Sequence, residues 1–221
     1  MNLVTYPDRE MMMIDLANRL AGEINTALMA KGQAAIAVPG GTTPGPVFDT
    51  LSGVDLDWAN VTVMLTDERC VPETSPRSNT RLLRERLLVG KAAKANLLSF
   101  AIDPATELEA LRERLRPHLP LDLVLLGMGA DMHTASLFPG APELTAALRD
   151  DAPPLVTMTP QDGLEPRVTL SAPVLKGAMA IHVVITGAEK REAIETAATL
   201  HDAAVAPIRV VLQDATIHWA E

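Results

Sequence analysis

Aromatic residues are nearly missing from this chain: Phe, Trp and Tyr together make up 3% of its 221 residues. A core of ordinary size must then be built from Leu, Val, Ile, Ala and the ten Met, which the 48% hydrophobic content allows. Cysteine is missing but for Cys70, which excludes an internal disulfide framework and argues against a zinc site built on cysteines. Positive charge is in deficit, the formal net being −9, so nucleic acid and anionic membrane surfaces are poor general partners. No apolar run approaches the length of a bilayer span. Met11–Ile14 is too short for a signal peptide and is flanked by Asp, Asn and Arg. A cytoplasmic protein with no obligate protein partner is expected. No pair of histidines has metal-ligand spacing, and no Gly-x-Gly-x-x-Gly fingerprint appears. Neither a metal nor a nucleotide cofactor is expected.

What is present is alternation. Ile14, Ala17, Leu20, Ala21, Ile24 and Leu28 recur at helical spacing from Asp8 to about Lys31, with Asp8 placed to cap. Short apolar runs at 33–38, 61–66, 121–126 and 181–186 read as strands, and the stretches between them as helices. Further strands are expected at 97–100, 155–159 and 167–171, and an edge strand at 216–219; 208–212 reads as helix or strand. The spacing predicts helices around 81–88, 143–148 and 188–200, one after Pro44 capped by Thr42 or Thr43, and one opened by Asp103-Pro104. Residues 161–166 read as a polar turn. Strands alternating with helices, without repeats or a linker, predict an α/β fold. Its form is a doubly wound, mainly parallel sheet flanked by helices, Rossmann-like but without the dinucleotide fingerprint, in one domain of residues 1–221.

The chemistry-bearing residues fall after strands, the rim where open α/β sheets bind ligands. The apolar run Leu121–Leu126 is buried on both faces in this reading, hence central, and ends at Gly127 and Gly129 with Asp131 and His133 close behind. Thr134 and Ser136 are placed to cap a short helix, and a capped turn with a solvated His accounts for the same residues. Gly40-Gly41-Thr42-Thr43 before a helix offers N–H groups and hydroxyls to an anion; a tight turn is the plainer account. Lys190, just inside a helix, is an unhelpful cation for the helix dipole and hints at an anionic partner, though an exposed lysine reads the same way. Arg167 carries a planar fork suited to phosphate. Asp67-Glu68-Arg69 is either a solvated charged loop or a rim with one carboxylate and the guanidinium facing a ligand. His118, His182, His201 and His218 have no informative neighbours and read as surface or core residues.

Taken together, the chain resembles the 6-phosphogluconolactonases of bacterial length, relatives of glucosamine-6-phosphate deaminase. The marks are Pro39-Gly-Gly-Thr-Thr-Pro44, Thr66-Asp-Glu-Arg69 with Val71-Pro72, Ser78-Asn79 and Leu125-Leu-Gly-Met-Gly-Ala-Asp131. His133-Thr-Ala-Ser-Leu-Phe-Pro-Gly140, Arg167-Val-Thr169, and Gly187 with Lys190 complete them. The deaminases carry Asp-Glu-Tyr and a glutamate that this chain lacks. The resemblance implies hydrolysis of 6-phospho-D-glucono-1,5-lactone, a small sugar-phosphate lactone, in the oxidative pentose phosphate pathway. Within it His133 is the general base, Asp131 or Asp67 orients the ring, and Arg69 faces the oxyanion or the sugar hydroxyls. Gly40, Gly41 and Thr42 with Arg167 and Lys190 hold the phosphate, and Ser78 and Asn79 belong to the same binding set. An amino-sugar-phosphate deaminase or isomerase, and a non-catalytic sugar-phosphate sensor, remain open alternatives. One position departs from the family pattern: Met132 stands where the family has Gly between the Asp and His. The expectation is an ordinary φ < 0 at Met132, with Gly127 and Gly129 supplying any unusual turn geometry.

Overall fold

The computed structural model describes residues 1–161 and 163–221. In chain order its elements are β1 (Asn2–Thr5), α1 (Arg9–Lys31), β2 (Ala34–Val38), α2 (Gly45–Ser52), β3 (Val61–Leu65), β4 (Asp67–Arg69), α3 (Asn79–Arg86), β5 (Asn96–Leu98) and α4 (Pro104–Leu115). There follow β6 (Leu123–Leu126), α5 (Leu144–Ala147), β7 (Leu155–Met158), β8 (Arg167–Leu170), α6 (Ala172–Lys176), β9 (Ala180–Thr186), α7 (Ala188–Thr199) and β10 (Thr216–Ala220). The main sheet runs β1-β10-β9-β6-β2-β3-β5, with every neighbouring pair parallel. β6 sits at its centre and is buried at all its residues, as its unbroken apolar run requires.

The first helix begins as expected, with the Asp8 carboxylate accepting from Met11 N at 2.8 Å. Its buried stripe is Met12, Met13, Leu16, Ala17, Leu20, Ala21, Ile24 and Ala27, while Ile14 is 47% exposed. Unbranched methionines thus take core positions in a chain poor in aromatics. The polar stretch expected over 161–166 includes Asp162, which lies outside the described residues.

Three local expectations are corrected, and one that was left open is settled. Thr42 and Thr43 do not cap α2: the helix follows Pro44 without a side-chain cap, and Gly45 N bonds Thr42 O at 3.4 Å. No helix follows Thr134 and Ser136, because their hydroxyls bond elsewhere in the fold. β10 is not an edge, since β1 pairs along its outer side. The stretch at 208–212, open between helix and strand, takes the helical form at its start, a 3-10 helix over Pro207–Val210.

The sequence also concealed a second sheet. β4, β8 and β7 form an antiparallel three-stranded sheet, with Asp67 opposite Thr169, Glu68 opposite Val168 and Arg69 opposite Arg167. Leu170 N donates to Thr66 O at 2.9 Å, and Thr66 N to Val38 O at 2.9 Å, so this small sheet hangs directly from the C-terminal rim of the large one. Among the described residues no helix is long and apolar enough to cross a membrane.

Candidate active site

The C-terminal ends of β2, β6 and β9 and the face of the small sheet enclose a cleft of two adjoining lobes. One, of about 290 Å³, is lined by Gly40, Gly41, Thr42, Asn79, Gly129 and Lys190. The other, of about 390 Å³, is lined by Asp131, Ser136, Phe138, Gln161 and Arg167. Asp67, Arg69, His133 and Ala135 line both, so they stand at the waist. Of the residues that the resemblance implies for catalysis or binding, only Ser78 is absent from the lining. It is buried, caps α3 by accepting from Arg81 N at 3.2 Å, and donates to Glu68 Oε2 at 3.1 Å.

His133 is held on several sides. Its Nδ1 lies 2.5 Å from Asp131 Oδ1, and the same oxygen accepts from His133 N at 3.2 Å. The side-chain bond to His133, above all, holds the Asp131 carboxyl below its usual range, so the pair keeps an ionised acid beside the ring. An ionised carboxylate can only accept, so Nδ1 is the ring nitrogen that donates to it, and no described group bonds Nε2. The Phe138 ring packs on the imidazole at 4.9 Å between centroids. Behind it, a Cβ added to Gly129 would come within 2.3 Å of the imidazole and 2.5 Å of Asp131 Oδ1. Glycine at 129 is therefore required by close approach, not by a left-handed φ.

The left-handed conformations fall on Met132, at φ 67, and Ala135, at φ 48. This overturns the expectation for Met132: neither Gly127 nor Gly129 has a positive φ. Two backbone bonds impose the conformation, Met132 N to Gly129 O and Ile208 N to Met132 O, both 3.0 Å. Thr134 Oγ1 ties the turn to Gly127 O at 2.9 Å.

Asp67 does not reach the His133 ring; of the two acids considered, Asp131 makes that bond. Asp67 instead accepts from Ser136 Oγ at 2.6 Å and from Thr66 Oγ1 at 3.2 Å. Arg69 Nη1 donates to Arg77 O at 2.7 Å, and Arg167 Nη1 to Glu165 Oε1 at 2.8 Å. Arg69 and Arg167 are direct cross-strand partners, an unfavourable placement for like charges, and the Nε of each is buried without a hydrogen-bond partner. Arg167 is only 5% exposed, and burial with Arg69 nearby pulls its pKa down. Two costly cations facing one lobe fit an anionic or strongly polar ligand. Glu165 partly offsets them, held to about 2 chiefly by its bond to Arg77. Lys190 stands in the first turn of α7 across the waist, so the structure does not bring it into the same lobe as Arg167. Beside Lys190, the Gly40 backbone lies so close to Asn79 that a Cβ would fall 1.9 Å from its amide oxygen. Among the described residues, no group of three or more His, Cys, Asp and Glu side chains is arranged to hold a metal.

A family model described as glucosamine-6-phosphate isomerases/6-phosphogluconolactonase matches residues 7–219. The chain belongs to this family. A 6-phosphogluconolactonase of Rhizobium meliloti is 39% identical over 214 residues, covering 93% of this chain and 92% of the relative. One from Pseudomonas aeruginosa is 39% identical over 215 residues, covering 92% and 88%. The crystal structure of a 6-phosphogluconolactonase from Shewanella baltica superposes with a TM-score of 0.94 at 31% identity, covering 100% of this chain and 97% of that one. Three residues that sequence reasoning named without a part in the cleft's framework belong to it. Glu68 is wholly buried, and Ser136 and Thr169 brace the waist through Ser136 N to Thr169 Oγ1 at 3.2 Å. Strand alternation across Asp67-Glu68-Arg69 was the available signal, since it turns the middle residue away from its neighbours.

Proposed function

We propose that this chain, acting as one 6-phosphogluconolactonase-like domain, hydrolyses 6-phospho-D-glucono-1,5-lactone to 6-phosphogluconate. The observation that carries the reading is His133, held by Asp131, at the waist between two cation-bearing lobes. A lactone is an activated ester, so the protein must hold it, activate water and stabilise an oxyanion. His133 Nε2 takes a proton from water as the water oxygen attacks C1 of the lactone, and Asp131 stabilises the imidazolium that forms. Arg69, reaching both lobes, stabilises the negative oxygen of the tetrahedral intermediate. On collapse the C1–O5 bond breaks and the imidazolium returns its proton to O5. The product is an open-chain acid whose carboxyl proton is released at neutral pH. Lys190 with the Gly40–Thr42 turn, and Arg167 on the far side, supply the charge that selects a phosphorylated sugar. Asn79 shapes the floor under Gly40, whereas Ser78 acts through α3.

The names of the similar proteins favour the lactonase side of the family over the deaminase side. The test is proton release from freshly prepared phosphogluconolactone, with spontaneous hydrolysis subtracted. Release accelerated by the wild-type chain and lost in His133→Ala is expected. Ammonia released from glucosamine 6-phosphate, with no acceleration of lactone opening, would move the chain to the other branch.

A further inference from the structure

Glu68 is a fully buried carboxylate with no place in the chemistry above, and every partner it has is a donor. Oε1 accepts from Arg69 N at 2.7 Å and Asn79 N at 2.8 Å; Oε2 accepts from Thr80 N at 2.7 Å and Ser78 Oγ at 3.1 Å. The last three partners form the start of α3, where free N–H groups and the helix dipole favour an anion. The first is the residue that reaches both lobes of the cleft. On β4 the side chains of Asp67 and Arg69 face opposite to Glu68. A single carboxylate thus bolts the back of the strand whose front carries Asp67 and Arg69. Two more bonds close the unit: Asn79 Nδ2 to Asp67 O at 3.0 Å, and Arg69 Nη1 to the carbonyl of Arg77 just before the helix.

We propose that Glu68 is a positioning residue that fixes Arg69 and Asp67 against His133 by clamping β4 to the start of α3. The proposal rests on the lactonase reading for its kinetic consequence, but the clamp itself does not depend on which reaction the cleft performs. Glutamine is the discriminating replacement because it keeps the shape and reverses the polarity of one atom. Whichever way the amide turns, its NH₂ meets at least one fixed backbone N–H, that of Arg69 and Asn79 or that of Thr80. Only the Ser78 hydroxyl can rotate to accept. Lys190 on α7 and Arg167, tied to Glu165, are not bonded to Glu68, and the Gly40–Thr42 turn meets it only through Asn79, so substrate capture changes less than alignment. The loss falls on the alignment of Arg69 and Asp67.

The experiment is steady-state kinetics of Glu68→Gln on phosphogluconolactone well below its unfolding temperature. The expected result is a kcat lower by about ten- to a hundredfold, the scale of a misplacement near 1 Å, with KM within about threefold. A purely structural role would lower the melting temperature and leave kcat per folded molecule unchanged, and that result overturns the proposal. If Glu68→Gln does not fold, Ser78→Ala decides: it removes one donor to Glu68, together with the cap on Arg81 N, and leaves the three backbone donors paired; a lowered kcat at constant KM and unchanged melting temperature supports the clamp, whereas wild-type kcat refutes it. If the wild-type chain itself leaves the lactone untouched, the functional reading fails while the clamp is still tested. Hydrogen exchange at Arg69 Nε–H, buried in the native structure, should then be slow in wild type and fast in Glu68→Gln, with central-sheet amides equally protected in both. Equal exchange at Arg69 overturns the proposal.

Discussion

Replacing Met132 by glycine and, separately, by alanine isolates backbone strain at the Asp131–His133 turn. At φ 67 an L-residue incurs roughly 1–2 kcal/mol that glycine avoids. Glycine in turn loses about 0.4–1 kcal/mol more chain entropy on folding than alanine. Both replacements forfeit the same half-buried thioether contacts against the core, so those cancel between the variants. Met132→Gly should therefore be more stable than Met132→Ala by about 1 kcal/mol. At an ordinary φ the order reverses, which makes the sign decisive. In a chain of this size the difference corresponds to roughly 2–4 °C in melting temperature, and urea unfolding of the two variants side by side resolves it. Turnover should stay near wild type in both, because the bonds from Met132 N to Gly129 O and from Ile208 N to Met132 O need no side chain. An alanine variant as stable as the glycine variant, or more so, would refute the strain argument.

Other expectations follow from the same geometry. His133→Ala should lower turnover by about 10²–10⁴ with little change in binding, and His133→Asn should be nearly as poor, lacking a useful base; near-normal turnover in either at neutral pH would remove the imidazole from its role. Arg167→Ala and Lys190→Ala should each weaken substrate binding by about ten- to a hundredfold, the value of one charge-assisted contact. Gluconolactone without phosphate should be a poor substrate of the intact protein, and equal turnover of both lactones would defeat the cationic-lobe assignment. Stability should fall on mild acidification because His218 is buried and neutral: burial first, then His182, pushes it from 6.5 down to about 4. Its stabilising contribution is complete above 6.5 and is lost as pH falls towards 4, a change of order 3 kcal/mol. Urea titrations across that window should show the slope in wild type and a flatter one in His218→Gln.

That histidine also marks the limit of what local sequence can say. Nothing near His182 or His218 in the chain suggests a partner. The parallel pairing of β9 with β10 and the packing of α1 put them in one chain of contacts. Glu23 meets His182 at 2.8 Å, His182 meets His218 at 2.9 Å, His218 meets Tyr6 at 2.8 Å, and Tyr6 donates to Asp15 at 2.6 Å. Periodicity did determine the main α/β layout: the unbroken run in β6 requires a central strand, and the spacing in α1 requires a helix laid on the sheet. It also put His133, Asp131, Lys190 and the Gly40–Thr42 turn on one rim, since parallel strands end on the same side. The second sheet was not legible, because β4 is three residues long and its partners lie about a hundred residues away. For the same reason, the opposition of Arg69 to Arg167 and the burial of Glu68 existed only once the strands had paired. Met132 shows the remaining gap. Sequence named the position as a departure, but its backbone angle is imposed by Gly129 and Ile208, and a hydrogen bond from 76 residues away leaves no local trace.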